Sequence, residues 1–202
     1  MQLFRFCLVI GIEFRNFLKE TNHHRELHFE LIEGVRRQER SAQHRIYQLY
    51  AKAMLNTSYR IVYDLAEAED VVQEAFVKAF SGIDQFRGDA SFGSWLKRIV
   101  VNGALNVLKK RKELYGTNEI EEDLAEETSE VWDGLSLEQI KAAIAQLPDG
   151  FRVVFSLYLL EGYDHKEIAQ ILDVTESTSK SQYKRAKDKL REILKTMYNY
   201  ER

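Results

Sequence analysis

Between Ser177 and Lys195 the chain carries Lys180, Lys184, Arg185, Lys187, Lys189, Arg191 and Lys195 against Asp188 and Glu192, seven positive charges to two negative, or +5. The formal net charge of all 202 residues is -3, so this excess is local. Ammonium and guanidinium groups gathered on one short stretch are suited to binding phosphate, Lys as a point charge and Arg as a planar fork. The same run would also serve as a merely solvated helix face. The segments that position it decide between the two.

Upstream, Asp164 is placed to cap a helix with Glu167 three residues later, the spacing of a capping box. Ile168, Ala169, Ile171 and Leu172 give that helix its apolar face. A turn is predicted over Leu172 to Thr175, then a second helix capped by Thr175 or Ser177. On this second helix Tyr183, Ala186, Leu190, Ile193, Leu194 and Met197 recur at spacings of three and four, which buries one stripe and leaves the basic faces outside. A capped scaffold helix, a short turn and a basic second helix, in that order, describe a helix-turn-helix that lays its second helix in the major groove of DNA. Asp173 stands where such turns often carry glycine.

A second basic segment runs from Arg87 to Lys112, where Arg87, Lys97, Arg98, Lys109, Lys110, Arg111 and Lys112 face only Asp89, a local +6. It overlaps a helix predicted over Phe92 to Lys112 with Phe92, Trp95, Leu96, Ile99, Val100 and Leu108 on one apolar stripe. Before it, helices are predicted at about Leu27 to Leu55, with a break inside, and at Glu67 to Ser81. On the latter, Asp70, Gln73 and Glu74 lie one turn apart, where carboxylates and an amide meet arginines of a partner. Val71, Val72, Ala75 and Phe76 supply apolar contact and packing. By its residues alone this is equally an amphipathic helix with a solvated edge.

The opposite charge follows. From Glu113 to Ile140 there are ten acids and no Lys or Arg, a block that repels itself and reads as an extended linker. Helical structure is expected to resume at Ser136, capped with Gln139. Phe151, Val154, Phe155, Tyr158 and Leu159 add a buried face beyond the break at Leu147, Pro148 and Asp149. The fold class expected is all-α: two small helical domains, 26–112 and 136–202, joined by an acidic flexible linker at 113–135. Residues 1–25 are an ill-defined extension, or mark a start assigned too far upstream. The apolar run Phe6 to Ile12 is too short for a bilayer, which takes about 20 residues, and lacks the small-residue cleavage site of a secretory signal. One cysteine, Cys7, makes no internal disulfide, consistent with a reducing cytoplasm. No phosphate-cradling glycine loop, dinucleotide fingerprint or serine nucleophile elbow is present. His24 and His28 have the spacing of a helical metal pair, but His23, His44 and His165 form no second cluster, so no metal, cofactor or enzymatic activity is expected.

Taken together, three motifs resemble the bacterial sigma factors of the sigma-70 family, specifically the extracytoplasmic-function (ECF) group. AEAEDVVQEAFVKAF, Ala66 to Phe80, is similar to the helix that docks on the clamp helices of RNA polymerase. FRGDASFGSWLKRIVVNGALNVLKKRK, Phe86 to Lys112, resembles the segment that melts and reads the minus-ten element. LPDGFRVVFSLYLLEGYDHKEIAQILDVTESTSKSQYKRAKDKL, Leu147 to Leu190, resembles the minus-thirty-five reader. Nothing between them looks like the middle domain of larger sigma factors.

The resemblance implies polymerase contacts by Asp70, Gln73 and Glu74. It implies minus-ten contacts by Phe86, Arg87, Lys97, Arg98, Asn102, Lys109 and Arg111, with Arg87 to Ser91 forming the loop that captures an unstacked base. Minus-thirty-five contacts fall to Lys180, Ser181, Lys184 and Arg185. Ser179 departs from the family's usual apolar residue, and Asn106 and Lys109 to Lys110 from its acid and arginine. The implied partners are core RNA polymerase, promoter DNA and an anti-sigma factor, often membrane-bound, with no small-molecule substrate. Two other readings stay open: a stand-alone helix-turn-helix regulator binding duplex DNA as a dimer, and a protein-interaction adaptor.

Overall fold

The computed structural model describes residues 22–115 and 136–200, and these fall into two separate compact units. The extension before Asn22, with Cys7, and the linker over 116–135 lie outside the described residues. All secondary structure in the described residues is helical.

The amino-terminal unit holds α1 (Asn22–Arg36), α2 (Arg40–Val62), α3 (Leu65–Ser81), a 3-10 turn (Ile83–Gln85) and α4 (Phe92–Tyr115). The break expected within the first long helix falls between α1 and α2, where Gln38 takes a left-handed φ of 59°. At Gly34 a Cβ would stand 2.6 Å from that of Ala42, so only glycine lets α2 fold back this closely on α1. Tyr63, at φ 53°, ends α2 and returns its N–H to Tyr59 O at 2.8 Å. Asp64 caps α3 by accepting the Glu67 N–H at 2.9 Å.

Helices α2, α3 and α4 pack pairwise. Their shared core contains Ile46, Met54, Ile61, Val71, Val72, Phe76, Leu96, Val100, Val101 and Ala104, all buried. Each large apolar side chain fully buried here contributes about 1.5–3 kcal/mol. The stripe expected on α4 holds for Phe92, Leu96 and Val100, while Trp95, Ile99 and Leu108 are only half-buried and Val101 and Ala104 fill the inside instead. Val71, Val72, Ala75 and Phe76 are all consumed by this core, so they offer no apolar contact to a partner.

The carboxy-terminal unit holds α5 (Leu137–Ala145), α6 (Asp149–Phe155) running into a π-helical turn (Ser156–Leu160), α7 (His165–Leu172) and α8 (Glu176–Tyr200). Ser136 and Gln139 form the expected capping box, with bonds of 3.2 and 2.7 Å. Ala143, Leu147, Phe155, Ala186, Leu190 and Leu194 make the core, and Phe151, Leu159, Tyr183, Ile193 and Met197 close around it. Buried Arg152 donates from Nη1 to Leu147 O at 2.9 Å and pairs with Asp149, bracing the corner around Pro148.

Candidate nucleic-acid interface

In the carboxy-terminal unit, local chemistry fixes the turn. Asp164 accepts the Glu167 N–H at 2.7 Å while Glu167 accepts that of Asp164 at 2.9 Å, a complete capping box. Helix α7 ends at Asp173, which takes the left-handed conformation (φ 55°, ψ 50°) that glycine adopts at less cost. Thr175 is the cap of α8, accepting the Thr178 N–H at 3.0 Å.

From there Ala186, Leu190 and Leu194 turn into the core, and Lys180, Ser181, Lys184 and Arg185 are all exposed. They are not equivalent. Lys180 is paired with Glu176 at 2.6 Å, and the Ser181 hydroxyl donates to Thr178 O at 2.9 Å. Lys184 and Arg185 make no ion pair among the described residues and are the two cations ready for a phosphate or a base edge. The Glu176 carboxyl is held below its usual range by the hydrogen bond and charge of Lys180. Ser179, the departure from the family pattern, is 0% exposed and bonded to His165 Nδ1 at 3.0 Å.

In the amino-terminal unit, Arg87, Arg98, Asn102 and Lys109 are exposed. Arg98, Asn102, Asn106 and Lys109 follow one another at helical spacing, with Lys110 beside them, so one polar ribbon runs along the outside of α4. The loop from Arg87 to Ser91 turns at Gly88 (φ 81°) over a cavity of about 180 Å³ lined by Gln85, Phe86, Arg87, Asp89, Ala90 and Trp95.

Three residues expected to touch DNA are packed or paired within the unit, Phe86 also lining the cavity. Phe86 is 9% exposed and packs on Phe92 and Trp95 at ring separations of 5.6 and 5.4 Å. Lys97 is 7% exposed, its side chain taken into the unit. Arg111 donates to Val62 O at 2.9 Å and to Glu67, clamping α4 onto the α2–α3 turn. Conversely Trp95, assigned by its stripe to packing, also lines the cavity beside the loop, which periodicity alone does not reveal.

On α3, Asp70, Gln73 and Glu74 are exposed, with Glu74 paired to Lys78 at 3.1 Å. Val77, one turn further along the same face, is 67% exposed. It is an exposed apolar side chain on this face, whereas Val71, Val72, Ala75 and Phe76 are buried.

Residues 46–114 match sigma-70 region 2 and residues 137–190 match sigma-70 region 4. The chain is 30% identical over 185 residues to the RNA polymerase sigma-H factor of Pseudomonas aeruginosa, covering 83% of this chain and 94% of that one. It is 31% identical over 183 residues to the ECF RNA polymerase sigma factor SigW of Bacillus subtilis, covering 82% and 96%. The chain belongs to the sigma-70 family, in its ECF group. Region 2 therefore spans most of α2 with α3 and α4, and region 4 spans α5 through the first half of α8. A solved relative, the sigma factor RpoE in complex with the anti-sigma factor NepR from Bartonella quintana, superposes with a TM-score of 0.54 at 25% identity, covering 75% of this chain and 95% of that one. CnrH in complex with the cytosolic domain of CnrY shares the fold, with a TM-score of 0.52 at 21% identity over 82% and 96% of the two chains. In this sigma factor the helix-turn-helix is the carboxy-terminal half of region 4, and the α3 edge and α4 ribbon both lie in region 2.

Proposed function

We propose that this sigma factor binds core RNA polymerase through the Asp70, Gln73, Glu74 and Val77 edge of α3 and directs promoter recognition, DNA melting and transcription initiation. The observation that carries the reading is the helix-turn-helix whose α8 is buried along one stripe and presents Lys184 and Arg185 unpaired on the other. Its physical consequence is a recognition helix already seated before DNA arrives. Arg185 reads a base edge, and Lys184 and Lys180 neutralise flanking phosphates.

In region 2, Arg87, Arg98, Asn102 and Lys109 contact the minus-ten element. The cavity beside Trp95 receives an unstacked base, since an aromatic face accepts any base by stacking. A restraining anti-sigma factor covers these surfaces when transcription is not required, as the Bartonella relative's complex with NepR suggests. The protein works in the cytoplasm without catalysis of its own; among the described residues no helix is long and apolar enough to cross a membrane.

Run-off transcription with core polymerase, on the promoter upstream of the protein's own gene, tests the reading. Transcript that requires both the protein and core polymerase is the expected result. A gel shift given equally by the protein alone would instead indicate a stand-alone regulator.

A further inference from the structure

The buried hydroxyl of Ser179 needs a partner, because a hydroxyl taken out of water without a hydrogen bond is costly. Ser179 is 0% exposed, and His165 Nδ1 lies 3.0 Å from its Oγ. His165 is itself held on two sides. Its ring stacks on Tyr158 at 4.3 Å with 14° between planes and meets Tyr183 edge-on at 5.7 Å, while Tyr158 and Tyr183 touch at 4.5 Å. Side chains of the π-helical turn, α7 and α8 thus converge on one imidazole.

We propose that His165 is a positioning residue for promoter reading: its hydrogen bond to Ser179 fixes the first turns of α8, and with them Lys180, Lys184 and the base-reading Arg185, relative to the scaffold helix α7.

Helix α7 is only eight residues long and buries Ile168 and Ala169, so apolar packing offers a small lever on the angle of α8. Apolar contact is also non-directional. A hydrogen bond weakens steeply as its angle bends, so it specifies orientation as well as proximity. The contact sits one residue before Lys180, where a small rotation of the helix displaces the side chains that meet the groove. The charged groups around the imidazole are Lys180 and Glu176 on α8 and Asp164 at the start of α7. Burial, and Lys180 beside it, hold His165 below its ordinary value, so the ring is neutral at neutral pH with one nitrogen free to accept.

The inference rests on α8 being the promoter-reading helix, and its test separates the two ideas. Ser179→Val and Ser179→Thr have the same shape and differ only in the hydroxyl. Each is assembled as full chain with core polymerase, and affinity is measured for the own-gene promoter duplex and for that duplex with its minus-thirty-five element scrambled. Ser179→Val should lose about five-fold of its preference for the intact element, the scale of one hydrogen bond. Ser179→Thr should stay within about two-fold of wild type. Equal selectivity in the two variants overturns the inference. Independently, 15N spectra of the wild-type histidines should show His165 as a single fixed tautomer, and a tautomer mixture overturns it without any variant. The Lys184→Ala, Arg185→Ala double variant guards the premise. If it keeps full promoter preference, α8 is not the reader. If it loses preference while Val and Thr at position 179 remain alike, α8 reads the promoter without help from His165.

Discussion

Arg111, near the end of α4, and Glu67, in the first turn of α3, are joined by a guanidinium–carboxylate pair that also reaches Val62 O at 2.9 Å. The fork thereby ties all three packed helices together at one corner of region 2. Arg111→Ala should lower the stability of the protein by about 1–3 kcal/mol, the value of hydrogen bonds to a charged group. Arg111→Lys should recover only part of it, because an ammonium does not reproduce the fork. Urea unfolding monitored by tryptophan fluorescence reads this out. A loss of promoter binding at unchanged stability would return Arg111 to the DNA-contacting set.

The outward edge of α3 predicts a different separation of effects. Asp70, Gln73 and Glu74 are exposed and support no core contact, so replacing all three with Ala should leave the melting temperature nearly unchanged. Affinity for core polymerase should fall, by roughly 1.5–3 kcal/mol for each charge-assisted hydrogen bond made. Val77→Asp, which buries no internal group, should weaken docking further. A titration against core polymerase that does not distinguish triple mutant from wild type would remove α3 as the docking helix.

Much of this architecture is legible in the sequence because local chemistry dominates it. Asp164 with Glu167 and Ser136 with Gln139 both form their capping boxes, since a capping box needs residues only three positions apart. The stripe from Ala186 to Leu194 is buried as its spacing requires. Long-range partners are what the sequence hides. Arg111 looks like one more cation in a basic run until the fold brings Glu67, 44 positions away, against it. Lys97 has the type of a phosphate ligand and the burial of a core residue, which its place in a basic run does not reveal. Ser179 reads as a mismatch until His165, 14 residues earlier, is found against its hydroxyl. Asp173 illustrates a local rule yielding to tertiary need: the left-handed turn forms on aspartate, without the glycine that would reach it more cheaply.

The position of His165 has a pH consequence whose sign follows from linkage. Burial, then Lys180, hold its value in the folded protein below the ordinary 6.5, so between that lowered value and about pH 6.5 the folded state binds fewer protons than the unfolded chain. Stability from this group is complete above about pH 6.5 and declines as pH falls through the lowered value. Between about pH 7.5 and 5 the wild type should therefore lose more stability than His165→Asn, which has no proton to gain there. Parallel denaturation midpoints for the two proteins across that range would show that the imidazole is not desolvated in the folded protein.

Ion pairing within α8 makes its cations distinguishable by salt. Lys184 and Arg185 are exposed and unpaired among the described residues, whereas Lys180 must give up Glu176 to meet a phosphate. Each phosphate neutralised contributes about 0.9 to the slope of log affinity against log salt. Lys184→Ala should thus lower affinity for all duplexes alike and reduce the slope by about one. Glu176→Gln releases Lys180 and removes a negative charge beside the backbone, so it should raise affinity for specific and scrambled promoters together and steepen the slope. Arg185→Ala should behave differently from both, costing about 1–3 kcal/mol on the specific promoter and relaxing preference at one base position, as expected of a bidentate base contact. The measurement is holoenzyme binding to promoter variants over a series of salt concentrations. If Arg185→Ala weakens every sequence equally, with a slope change like that of Lys184→Ala, Arg185 is a phosphate ligand and base reading belongs to another residue of the helix.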